Sequence, residues 1–375
     1  MRHPLYKDTI RRMLNDNAPP TRAPGHMQGF DAEFADIVDY ILRITYRIWE
    51  GKQVGLCHTY YSDDCPVYTL AGYTEGAEQV TRNTLLTLGA FPDRTLHADN
   101  IIWSGNAREG FHTSHLISTR MTHLGASVHG PATGLTATIR VIAHCIVKDN
   151  RIVEEWLVRD NWSLAEQLHC DPWQLAAELA RKPLDSDDPF ARWLESEWAR
   201  VQGGNRAPAT ALPAEHAPAR LSAMLHNIWN ARLPGDCRAL YAPDVLVHLS
   251  AHGDANGVDA MERFFIDVLG ALPDARISID HACTESMLPG EYVALRWTLA
   301  GTHLGGNLWG PPSAAPVLVL GESHYRLHNG RIVEEWLVYD QIAVVTQIER
   351  ARLAAGGPEV SDPDVPPSSR EGDEA

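Results

Sequence analysis

Positive charge is scarce in this chain: 32 lysines and arginines stand against 48 aspartates and glutamates, a net charge of −16. Such a surface cannot neutralise phosphates, so neither a nucleic-acid partner nor an anionic membrane is expected. No run of 18 or more apolar residues occurs, which excludes a transmembrane helix. The opening residues, Met1-Arg2-His3-Pro4-Leu5-Tyr6-Lys7-Asp8, lack the apolar stretch of a secretory signal, and a cytoplasmic location is expected. There are six cysteines and no C-x-x-C pair. They are expected as buried packing residues, without disulfides or a zinc site. P-loop, G-x-G-x-x-G and G-x-S-x-G motifs are also missing, so no cofactor is expected.

What the chain does have is a long repeat. Residues 151–160 and 331–340 match at nine of ten positions, at an offset of 180. The match runs back without a gap through His144 and His324 to His123-Leu124-Gly125 and His303-Leu304-Gly305. Upstream, Trp49, Cys57, Tyr61 and Asp64 meet Trp229, Cys237, Tyr241 and Asp244. One inserted residue shifts the offset to 181, where Gly76, Pro92-Asp93 and Asp99 meet Gly257, Pro273-Asp274 and Asp280. Solenoid repeats run about 20–50 residues, so a period this long means duplicated domains.

Each unit opens with a helix. Phe30, Phe34, Ile37, Val38, Ile41 and Ile48 share one face in the first copy. A second helix, from Val258 through Leu272 in the second copy, stops before Pro273. Strands follow, including Tyr292–Thr298 and Val317–Leu320, and a hairpin turn falls at Asn329-Gly330 or Asp149-Asn150. The class is α+β. The expected layout is an extension (1–29), a domain (30–170), a helical connector (171–202), an Ala/Pro linker (203–219), a second domain (220–355) and a disordered acidic tail (356–375).

Helices followed by strands that close on Gly-Arg-Ile-Val-Glu-Glu-Trp, or Asn-Arg-Ile-Val-Glu-Glu-Trp in the first copy, and then Asp resemble the SnoaL-like polyketide cyclase family, within the nuclear transport factor 2-like superfamily. The resemblance implies two tandem cones, each a strongly curved antiparallel sheet wrapped over helices around an apolar pocket. It also implies cofactor-independent acid–base chemistry of a lyase, isomerase or cyclase type on a small carbonyl compound, aromatic or polyketide-like. The alternative is a non-catalytic small-molecule-binding protein built as a fused pseudo-dimer, and further homo-oligomers are compatible with either.

The resemblance puts the family's catalytic carboxylate at Asp160 and Asp340. A carboxylate in an apolar pocket has a raised pKa and makes a better base. The competing role is helix capping. His144 and His324 are candidate acids or enolate donors. Trp156, Trp336, Tyr68 and His248 are candidate substrate contacts. With a two-residue turn, opposed residues sum to 659, pairing His324 with Glu335 and setting His324 and Asp340 on opposite faces; one bulge would restore a shared face. Asp99 and Asp280 are candidate second carboxylates, with a solvated strand face the blander role. His112, His115, His123 and His129 suggest a metal, but His112 and His115 have opposite parity in a strand, so no metal site is expected. Tyr68 against His248 and Arg159 against Tyr339 suggest that the two pockets have diverged.

Overall fold

The structure is a computed structural model that describes residues 27–356, except 183, 205–211, 214, 215 and 252. The acidic tail, most of the N-terminal extension and most of the Ala/Pro linker lie outside the described residues. In the first copy, α1 (Ile37–Trp49), a short α2 (Cys57–Tyr60) and the hairpin β1 (Pro66–Thr69)–β2 (Gly72–Glu75) precede α3 (Gly76–Ala90). Then β3 (Thr95–Asn106), β4 (Gly110–Thr122), β5 (Thr136–Lys148) and β6 (Arg151–Arg159) form a meander. Three helices, α4 (Asn161–Gln167), α5 (Pro172–Ala180) and α6 (Pro189–Gln202), lead to the second copy. There α7 (Ala217–Trp229), β7 (Tyr241–Leu249), β8 (Gly253–Asn256) and α8 (Val258–Ala271) come first. They are followed by β9 (Arg276–Cys283), the two-residue β10 (Glu285–Ser286), β11 (Glu291–Thr302), β12 (Pro316–His328), β13 (Arg331–Tyr339) and α9 (Gln341–Ala354).

Helix α1 starts later than its apolar spacing suggests. The Asp36 carboxylate accepts the Asp39 N–H at 2.8 Å and caps it, leaving Phe30 and Phe34 in preceding turns. Phe34 still packs edge-on against Tyr40, with ring centres 4.9 Å apart. Helix α8 stops short of Pro273 as expected. The sheets run in the orders β10-β3-β4-β5-β6-β1-β2 and β8-β7-β13-β12-β11-β9. They are antiparallel except for one parallel pair each, β1–β6 and β7–β13, because the chain returns to the sheet after the helices.

Both hairpin turns place two residues at positive φ, Asp149-Asn150 and Asn329-Gly330, as a two-residue turn demands. The simple register does not persist beyond them. A bulge between Arg326 and Leu327 of β12 and its β13 partners leaves Val333 unpaired, and the first copy repeats it at Val153. His324 therefore opposes Trp336, and Ser323 opposes Leu337. The shift turns Glu155, Leu157 and Arg159 inward and Glu154 and Trp156 outward, with the same parity in the second copy.

The outward faces of the two sheets pack together. Leu116, Ile142 and Val158 of the first copy form one buried cluster with Ala300, Leu318, Leu320 and Val338 of the second. The halves also interlock, since β10 of the second copy adds an edge to the first sheet beside β3. All six cysteines are free, five of them buried.

Candidate functional site

The inward side chains of β4, β5 and β6 lie in three cross-strand rows. In the first copy these are Thr113–Cys145–Glu155, His115–Ala143–Leu157 and Ile117–Val141–Arg159. The rows bound a cavity of about 470 Å³, within the range of small-molecule sites. The same rows in the second copy read Val293–Tyr325–Glu335, Leu295–Ser323–Leu337 and Trp297–Gly321–Tyr339. There the cavity is reduced to about 40 Å³. Trp297 lies so close over Gly321 that a Cβ there would meet its ring at 2.1 Å, and its indole N–H donates to Ser323 Oγ at 3.2 Å. Phe264, Phe265 and Trp309, where the first copy has Asn83, Thr84 and His129, complete the filling.

The polar groups of the open cavity follow the same division. Glu155 is 7% exposed, and the Tyr61 hydroxyl donates to its Oε2 at 3.0 Å. Burial raises its carboxyl above the usual range, although the Tyr61 hydrogen bond and Arg159 oppose the shift. The second copy keeps this pair as Glu335 and Tyr241, at 2.6 Å, inside a packed core. His115, Arg94 and Arg159 have no such counterparts; Leu295, Ala275 and Tyr339 stand in their places. His115 Nε2 is buried without a hydrogen-bond partner, and burial lowers the imidazole to about 3, so it is neutral.

Arg94 donates Nε–H to Thr119 Oγ1 at 3.0 Å and lies over Trp49, 4.7 Å from the ring centre. Burial, and then the nearby Arg159 charge, lower it to about 9. Arg159 Nε is buried without a partner. Both arginines line the cavity and also a second chamber of about 660 Å³, as do Leu86 and Val128. They therefore form the neck between the two spaces. The outer chamber is walled by Leu175, Phe190 and Leu194 of the connector and by Asp340 and Thr346 of the second copy.

The residues singled out from sequence come together elsewhere. Asp160 caps α4 through Ser163 N–H at 3.1 Å. Asp340 caps α9 through Ala343 N–H at 3.2 Å and accepts Asn161 Nδ2–H at 2.5 Å. Burial raises Asp340 to about 6, and it faces the outer chamber, not the cone. His144, His324, Trp156, Trp336, Tyr68 and His248 meet at the seam between the sheets. His144 Nδ1 lies 3.0 Å from Glu322 Oε1, and His324 Nε2 lies 2.6 Å from Ser114 Oγ. Trp156 stacks against Tyr68 and lies 3.5 Å beneath the Arg296 guanidinium. Trp336 stacks on His248, whose Nδ1 and Nε2 lie 2.8 Å from Asp254 and 3.1 Å from Glu334. Asp99 and Asp280 are both bulge residues, bound to Ser118 and to Thr298. His123 and His303 hold their loops through Ser127 and Ser313.

Sequence reasoning passed over Glu155, Tyr61 and Arg94 as site residues and weighed His115 only as a metal ligand. The available signal was the divergence between copies: Arg159 against Tyr339 was visible, and His115 against Leu295 and Arg94 against Ala275 belong with it.

Comparison with known proteins gives a consistent family. Residues 40–168 and 219–348 each match the model of the SnoaL-like polyketide cyclase. Among solved structures, IdmH of Streptomyces antibioticus is similar at 26% identity, covering 36% of this chain and 99% of that one, with a TM-score of 0.31. TsrD of Streptomyces laurentii is similar at 16% identity, over 36% and 96%, with a TM-score of 0.32. A SnoaL-like polyketide cyclase of Agrobacterium tumefaciens is similar at 14% identity, over 36% and 98%, with a TM-score of 0.29. A search of curated proteins finds no match. Among the described residues, no helix is long and apolar enough to cross a membrane.

Proposed function

Because the chain belongs to the SnoaL-like polyketide cyclase family, we propose that its first copy is an acid–base enzyme acting on a small anionic carbonyl compound. In this reading the second copy is its structural partner. The supporting observation is the difference between the two interiors, about 470 Å³ against about 40 Å³, with His115, Arg94 and Arg159 only in the open one.

Two buried guanidiniums close together are costly without an anion, so a carboxylate or enolate at the neck would offset their burial. Such an anchor leaves the rest of the substrate beside the inner rows. There Glu155, with its affinity for a proton raised by burial, removes a proton next to the carbonyl. Neutral His115 hydrogen-bonds the enolate oxygen as charge develops. Tyr61 holds the Glu155 carboxylate in place. The second copy contributes wall to the outer chamber, which gives the fusion a function besides stability.

The test is a turnover screen on aromatic and polyketide-like carbonyl acids, followed by variants. Glu155→Gln and His115→Asn should each lower kcat by roughly 10²–10⁴-fold. Glu335→Gln should leave turnover unchanged, and Arg159→Leu should act mainly on KM. Writing the second copy's filling into the first, as Ile117→Trp with Val141→Gly, should abolish ligand binding while the fold persists. Full turnover in Glu155→Gln would overturn the mechanism. Tight binding without turnover of any substrate would instead assign the cavity to a binding protein.

A further inference from the structure

Three histidines that are far apart in sequence meet at the seam between the copies. His112 lies on β4, His144 on β5 and His281 on β9. One nitrogen from each lies within 4.8 Å of the others, and this is a set of metal-ligand type among the described residues. We propose that His112, His144 and His281 form a zinc site that fastens the second copy onto the back of the first copy's cavity wall. The site is independent of the cavity chemistry proposed above.

The surroundings suit a metal in three ways. His144 is 1% exposed, and its Nδ1 faces the Glu322 carboxylate at 3.0 Å while its Nε2 is buried with no partner. A proton on Nδ1, held by a carboxylate, leaves Nε2 to present its lone pair, the carboxylate–histidine arrangement that orients zinc ligands. His112 Nδ1 is likewise buried and unpartnered. His281 Nε2 lies 3.1 Å from the Ser104 hydroxyl, so this ring is also oriented from outside the cluster. The second point is the ring arrangement. His144 stands nearly perpendicular to His281, centres 5.2 Å apart, and lies 5.8 Å from His112. His112 and His281 stack at 3.8 Å, 17° from parallel, so one of the two rings must rotate out of the stack for both in-plane lone pairs to reach one zinc. The third is charge. The Glu322 carboxylate behind His144 supplies negative charge for a cation. Arg296 is the opposing charge, and it is drawn over Trp156 with Asp280, Glu322 and Glu154 as counter-charges.

Three imidazoles with a carboxylate behind one of them and a fourth position for water is a zinc-type donor set. Sequence parity excluded His112 with His115 and could not anticipate a partner contributed by the other copy.

The full chain, stripped with a chelator and dialysed, would be titrated with ZnCl₂ by calorimetry and with CoCl₂ by visible absorption. One equivalent should bind, the cobalt spectrum should show tetrahedral bands, and zinc should raise Tm. His112→Ala and His281→Ala should each weaken binding at least about 10-fold, and Glu322→Gln by about 10–100-fold. His58→Ala, at an exposed histidine, should change nothing. His112→Gln and His281→Gln serve where an alanine variant does not fold, as judged by circular dichroism. Absence of stoichiometric binding, or binding that survives both the His112 and His281 substitutions, would overturn the site.

Discussion

Glu335 shows what one side chain does when its copy loses its cavity. It keeps the Tyr241 hydroxyl, but Oε1 is buried without a partner, and burial raises the carboxyl from the usual 4.5 to about 7. Between those values the folded protein holds a proton that the unfolded chain has released. Stability from this group is therefore complete below about 4.5 and falls as pH rises through about 7. The loss across the window is roughly 3 kcal/mol. Glu335→Gln should remove it, so urea unfolding of the parent and the variant should diverge between these pH values; parallel profiles would contradict the assignment. Glu155 carries the same inherited carboxylate into an open cavity, where it faces substrate. From sequence alone the two glutamates were indistinguishable, because they occupy identical decapeptide positions. The neighbours that separate them, Cys145 against Tyr325 and His115 against Leu295, come from other strands.

At the scale of elements, the turn residues announced the hairpins, and the bulge three residues later decided which way the last strand faces. A single extra residue reverses a strand's parity, and nothing in the composition of Val333 or Val153 marks it. The result is that Trp156, Trp336, His144 and His324 belong to the seam. Asp160 and Asp340, one residue beyond their strands, serve as caps for α4 and α9. Asp160→Ala and Asp340→Ala should each cost about 1 kcal/mol, with the asparagine variants much milder. The corresponding fall in Tm is roughly 1–2 °C if both copies unfold together. If Asp340→Ala abolished turnover with Tm unchanged, Asp340 would have a chemical role at the outer chamber that its capping geometry does not account for.

At the scale of the whole molecule, two equivalent folds have taken unequal tasks. The seam buries apolar residues from both sheets, and β10 completes the edge of the first sheet with residues from the second copy. Shared burial of this kind couples the halves, so calorimetry should show one unfolding transition for both copies. Two resolved transitions would mean that the seam is weaker than its packing. By itself the sequence determined the duplication, the α+β class, the hairpins and the family, because repeats, periodicity and turn residues are local patterns along the chain. Only the tertiary structure decided which copy keeps a cavity, which face each strand presents, and that His112, His144 and His281 meet. Those outcomes depend on side-chain volumes summed across neighbouring strands and on contacts more than a hundred residues apart, which no local pattern encodes.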